Sequence, residues 1–166
     1  MIETARLLLR PLSLDDVDAM APMYADAEVM TFIGGVKTRE QTAEQIVRIM
    51  SLFSEQGFGL YGVVEKSSGS LLGRAGLIAQ QVEGARELEL AYGLKRQAWG
   101  QGYATEAIVA VREWGFRQLE APHFVSLVHA ANSRSARVAE RLGARHDRDV
   151  DYHGQRVRLF VHERPA

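Results

Sequence analysis

"RQAWGQGYATEAIVAVREWGF", Arg96 to Phe116, is the stretch on which the reading of this chain turns. Gly100 and Gly102 stand one residue apart, and the dozen positions that follow hold no glycine and keep helical spacing. A glycine admits dihedrals closed to other residues and lets a partner approach the main chain closely. The first N–H groups of a helix have no partner within it, and the positive end of the helix dipole lies behind them. Bare backbone where a helix begins is therefore a seat for an anion, most often phosphate.

Composition narrows the setting. The 166 residues read as a single domain, 1–166, long enough to bury a core. Apolar content of 46% and charged content of 25% are those of an ordinary globular chain. A net charge of -1 gives no bulk attraction to nucleic acid or to an anionic membrane, so any basic site is local. Cysteine is absent, which excludes disulfides, thiolate metal sites and cysteine nucleophiles and fits a cytoplasmic setting. The opening "MIETARLLLRPLS" carries Glu3 and Arg6 and does not read as a signal peptide, and no stretch has the length of a membrane span.

The elements alternate in type. "RLLLRP" reads as a strand, followed by a helix capped by Ser13 and Asp16 with Val17, Met20, Ala21 and Tyr24 as its apolar stripe. Thr38 and Gln41 form a second capping box, opening a helix that turns Ile46, Ile49, Met50 and Phe53 inward and stops at Gly57. "GLYGVVEK", "LLGRAGLIAQ" and "RELELAYGL" read as strands two to four, joined by "SSGS" and "QVEGA". After the glycine-led helix come a fifth strand, "HFVSLVHA", and a helix, "SRSARVAERL", ended by Gly143. Two strands around "YHGQ" close the chain. The order predicts an α+β fold with a mixed, mostly antiparallel sheet of about seven strands. One parallel crossover falls between residues 86 and 130.

The loop is not a P-loop, because it has neither the Gly-x-x-x-x-Gly-Lys-Ser/Thr spacing nor a lysine for a β/γ-phosphate. It is not a dinucleotide fingerprint either, since Thr105 stands where the third glycine belongs. "ELAYGLKRQAWGQGYATEA" instead resembles the acetyl-CoA signature of the GNAT N-acetyltransferases, Gln/Arg-x-x-Gly-x-Gly/Ala, through Gln97, Gly100 and Gly102. "TARLLLRPLSLDD" is similar to the opening of the RimJ/RimL-like branch, which acetylates ribosomal-protein N-termini, and "NSRSARVAERLGA" resembles its second motif. The family fold agrees with the element order and implies that the fourth and fifth strands splay apart to admit pantetheine.

The resemblance also implies a chemistry. An amine attacks the thioester carbonyl, a tetrahedral oxyanion forms and a thiolate leaves. The protein has to orient two reactants, take a proton from an ammonium and polarise a carbonyl. By resemblance the backbone at Tyr92, Gly93 and Leu94 holds the pantetheine arm, and the N–H groups of Trp99, Gly100, Gln101, Gly102, Tyr103, Ala104 and Thr105 hold the pyrophosphate. Asn132 is placed for the pantetheine or acetyl region, or caps its helix. Arg137 and Arg141 are candidates for the 3′-phosphate, against the plainer reading of a solvated helix face.

Glu87 and Glu89 share one face of their strand while Leu88 and Leu90 take the other. Such a pair is commonly a solvent face. Glu89, however, aligns with a cleft glutamate of the family and is the candidate general base, with His129 in reserve. Many family members carry a tyrosine in the second helix, four residues before its glycine, to protonate the thiolate; here Ala139 stands there. Ser135 or water takes the role, and the plain alternative for Ser135 is a helix-start residue bonded to backbone. The expected function is acetyl transfer from acetyl-CoA to a primary amine, either a protein N-terminal alanine or serine or a small amine. No metal, nucleic acid or membrane takes part, and the protein acts as a monomer or homodimer. A non-catalytic acyl-CoA sensor is the alternative; it would keep the loop and dispense with the base.

Overall fold

Two two-residue turns and a set of helix caps organise the chain, and each has a local cause. A computed structural model describes residues 1–165. Strand β1 (Ile2–Glu3) pairs with β2 (Leu7–Pro11), which pairs with β3 (Leu60–Glu65). Strands β4 (Leu71–Val82) and β5 (Ala85–Leu94) form a long hairpin around Glu83 and Gly84, both at positive φ (48° and 84°). That conformation suits a two-residue turn matched to sheet twist. The same device, His153 (φ 48°) and Gly154 (φ 74°), joins β7 (Arg145–Tyr152) to β8 (Gln155–Glu163). Strand β6 (His123–His129) lies between β5 and β8.

The sheet order is β1-β2-β3-β4-β5-β6-β8-β7. It holds eight strands rather than the expected seven or so, because two residues before Thr4 already pair with β2. So the fourth and fifth strands of the sequence reading are β5 and β6. They form the one parallel pair among the described residues, linked by helix α4 (Tyr103–Gln118) as the crossover.

Helices α1 (Val17–Ala25), the short α2 (Ala27–Met30) and α3 (Arg39–Gln56) cover one face; α4 and α5 (Ser133–Arg141) cover the other. Strand alternation sorts the side chains between them: Ile78 and Ala91 pack toward α1 and α3, whereas Leu77, Leu90 and Leu94 pack toward α4. Two stripe assignments shift. Met23 is buried in place of Ala21, and Met50 is 41% exposed, because α3 meets the core along Thr42, Ile46 and Ile49. The turn at Leu14–Asp16 is a 3₁₀ turn in which Asp16 accepts from the Ser13 N–H at 2.9 Å and from Arg10 at 2.7 and 2.8 Å. No helix of the described residues is long and apolar enough to cross a membrane.

Candidate active site

The parallel pair is where the sheet opens. Strands β5 and β6 share one aligned pair, Glu89 with Val125, and beyond it they diverge toward Leu94 and His129. A cleft of about 1200 Å³ runs through this split. It is lined on one side by Tyr92, Gly93, Leu94, Trp99, Gly100 and Gly102, and on the other by residues of α5 and the end of β6.

The glycine loop forms one wall as a preshaped anion seat. Gly100 and Gly102 both take left-handed dihedrals (φ 74° and 81°) that turn the chain into α4. Gly102 occupies the cap position and brings no side chain to the first turn, so the N–H groups of Tyr103, Ala104 and Thr105 remain for a ligand. Arg6 braces the loop from behind. It donates to the Gln101 carbonyl at 3.0 Å, pairs with Glu106 at 2.7 Å and lies 4.4 Å over the Tyr103 ring. Gln97 and Gln101 are not among the residues lining the cleft, and the Gln101 side-chain amide donates to the Gln97 carbonyl at 2.8 Å. Trp99 anchors the loop to β5 through its indole N–H on the Leu94 carbonyl at 2.9 Å.

Glu89 sits at the apex of the split. Its face carries Val125, Leu127 and Tyr152 rather than solvent, and Gln80 donates to its carboxylate at 2.9 Å. Burial dominates its titration and pushes the carboxyl up to about 7, opposed by Gln80, the Leu127 backbone N–H and the Arg74 charge. A base whose pKa lies near neutrality suits proton transfer at neutral pH. Tyr152 is itself pushed up to about 12 by burial and by the charge of Glu89. Glu87, its partner on the face, is turned to His123 at 2.9 Å.

The opposite face carries the hydroxyls. Tyr92 reaches Ser135 Oγ at 3.2 Å, and the Ser135 N–H donates to Asn132 Oδ1 at 3.2 Å. Asn132 thus caps α5 and still lines the cleft, as do Arg137 and Arg141. His129 stands on the Glu89 side, stacked on Phe32 with ring centroids 5.0 Å apart. Its Nδ1 accepts from the Ala131 N–H at 3.1 Å.

Sequence reasoning overlooked Gln80, Tyr152 and Arg6. Gln80 was within reach: the two-residue turn at 83–84 places it opposite Glu87 and diagonal to Glu89. Tyr152 and Arg6 arrive from elements far away in sequence. The mouth of the cleft was equally hidden. Arg134 stacks over Trp99 at 4.2 Å and approaches Glu28, which Arg96 holds at 2.9 Å.

Residues 6–145 match the profile of the acetyltransferase (GNAT) domain family. The Bacillus subtilis protein YkkB is 31% identical over 150 residues, covering 89% of this chain and 86% of its own. An acetyltransferase from Agrobacterium tumefaciens superposes with a TM-score of 0.85 at 29% identity, over 98% of this chain and 94% of the other. A Salmonella typhimurium acetyl transferase that modifies the N-terminal serine of a 50S ribosomal subunit protein superposes at 0.79 with 17% identity, over 97% and 95%. At that identity the last likeness speaks for the fold alone.

Proposed function

The chain belongs to the GNAT acetyltransferase family, and we propose that it moves the acetyl group of acetyl-CoA to a primary amine by direct attack within a ternary complex. The observation that carries this reading is the position of Glu89: a carboxyl buried at the apex of the split, with its proton affinity raised to about 7. The loop N–H groups of Tyr103, Ala104 and Thr105 hold the pyrophosphate. Arg137 and Arg141 are the cations for the 3′-phosphate, and Asn132 with the backbone of Tyr92 to Leu94 takes the pantetheine arm. Glu89 then accepts the proton of the acceptor ammonium, directly or through water. A sensor that only binds acyl-CoA has no use for a carboxyl held in this state.

The acceptor class we propose is a protein N-terminal alanine or serine, with small amines as the second choice. The opening "TARLLLRP" and the second motif support the RimJ/RimL-like branch. The acceptor side of the split also presents Phe32 and His129 beside a single buried carboxyl, a surface suited to one ammonium on a peptide end. Incubation with acetyl-CoA and a panel of Ala- and Ser-initiated peptides, a polyamine and an aminoglycoside, read by mass spectrometry, tests this. Acetylated peptide N-termini are expected. Acetylation of the polyamine or aminoglycoside alone would contradict the acceptor class, and no product from any amine would contradict the reaction.

A further inference from the structure

We propose that Tyr92 supplies, through Ser135, the proton that the departing thiolate takes up. This rests on the acetyltransfer reading above. Alternation along β5 puts Glu89 on the acceptor face and Tyr92, three residues on, on the α5 face of the same split. The two faces therefore hold the two halves of a proton transfer: a carboxylate where the amine arrives and hydroxyls where sulfur leaves. Tyr92 Oη lies 3.2 Å from Ser135 Oγ, and Ser135 is fixed in turn by its N–H on Asn132. All three residues line the cleft.

Position 139 of α5 is Ala139, 2% exposed and packed against Val128 and Phe160, and α5 carries no phenol of its own. The strand residue Tyr92 brings one to the helix. The chemistry favours a phenol behind the serine. A serine hydroxyl alone is too weak an acid to give its proton to a thiolate and keep the charge. Phenol and thiol affinities lie within about two units of each other, near 10 and 8.5. Burial holds the Tyr92 proton above its ordinary value, so the side chain keeps that proton until sulfur calls for it. The step balances as follows. The C–S bond breaks with its electron pair on sulfur; sulfur takes the Ser135 proton while Ser135 Oγ takes the Tyr92 proton, and the phenolate recovers one from solvent. The acceptor ammonium gives up two protons overall, one matched by the new S–H and one released. Tyr92 is thus a positioning residue that works through Ser135.

The test compares wild type, Tyr92→Phe, Ser135→Ala and the double variant, using acetyl-CoA and the acceptors above. Each single change is expected to lower kcat by ~10²-fold, the low end of general acid–base effects, with calorimetric acetyl-CoA affinity within about twofold. Because both act on one path, the double variant should be no slower than the slower single variant. A crystal structure with CoA should place sulfur within hydrogen-bonding reach of Ser135 Oγ. Wild-type kcat in Tyr92→Phe, losses that multiply in the double variant, or affinity falling in step with kcat would each overturn the relay. Failure of the wild type to acetylate any amine would instead overturn the acetyltransfer reading, and the relay with it.

Discussion

Replacing Glu89 by glutamine probes the buried carboxyl in two independent ways. Glutamine keeps the shape and the contact with Gln80 but neither titrates nor accepts a proton as a base. The carboxyl moves from its ordinary 4.5 to about 7 on folding, a difference of about 2.5 units. At ~1.4 kcal/mol per unit this amounts to at most about 3 kcal/mol. The sign follows from proton counts: between about 4.5 and 7 the unfolded chain has released this proton and the folded chain still binds it. Its contribution to stability is therefore present at low pH and is lost as pH rises through that window. The glutamine variant lacks the loss, so relative to wild type it should gain up to about 3 kcal/mol between about pH 4 and pH 8. Urea denaturation at a series of pH values reads this without any acceptor. A pH-independent difference would refute the buried-carboxyl account. In parallel kcat should fall ~10²–10⁴-fold, with acetyl-CoA affinity nearly unchanged.

Three further outcomes follow from particular contacts. Gly102→Val puts a branched residue at φ 81°, with its Cβ 3.4 Å from the Arg6 guanidinium. The strain is ~1–3 kcal/mol, and calorimetry should show CoA affinity at least ~10-fold weaker, with circular dichroism still that of a folded protein; normal binding would leave Gly102 a mere turn residue. Gly115→Ala drives a methyl to 2.7 Å from Leu77 and 2.8 Å from Phe124, so urea denaturation should report a loss of ~1–3 kcal/mol, and unchanged stability would contradict the packing. His162, 2% exposed and bonded to Ser126 at 2.9 Å, is pushed by burial and the Arg112 charge down to about 4. The unfolded chain takes up this proton first, so the contribution of this group is full above about 6.5 and falls by up to about 3 kcal/mol as pH drops toward 4, opposite in sign to that of Glu89. Relative to wild type, His162→Gln should gain stability by that amount over this window, and a pH-independent difference would place the titration elsewhere.

What was legible in the sequence is what has a local cause. The capping box at Thr38, the stop at Gly57 and the glycine-led start of α4 each depend on residues within a few positions of one another. The paired glycines at 100 and 102 stood out for the same reason. Face assignment along β5 was right for Glu89, but alternation cannot say what covers a face. Leu127 and Tyr152, which bury that carboxyl, arrive through the parallel pairing and the β7–β8 hairpin. The Tyr92–Ser135 contact spans 43 positions and depends on how α5 docks beside the split. Met50 kept the helical period yet fell outside the face that α1 and the sheet cover, which depends on how α3 is rotated against them.

The most direct test is a parallel titration of the wild-type protein with acetyl-CoA, NAD and ATP, followed by calorimetry and thermal unfolding. The split and the glycine loop predict that acetyl-CoA binds the folded state and stabilises it by ~2.7 kcal/mol at a hundredfold excess over its Kd. NAD and ATP, which lack the pantetheine arm, should do far less. Strong stabilisation by ATP or NAD with none by acetyl-CoA would contradict the assignment of the cleft.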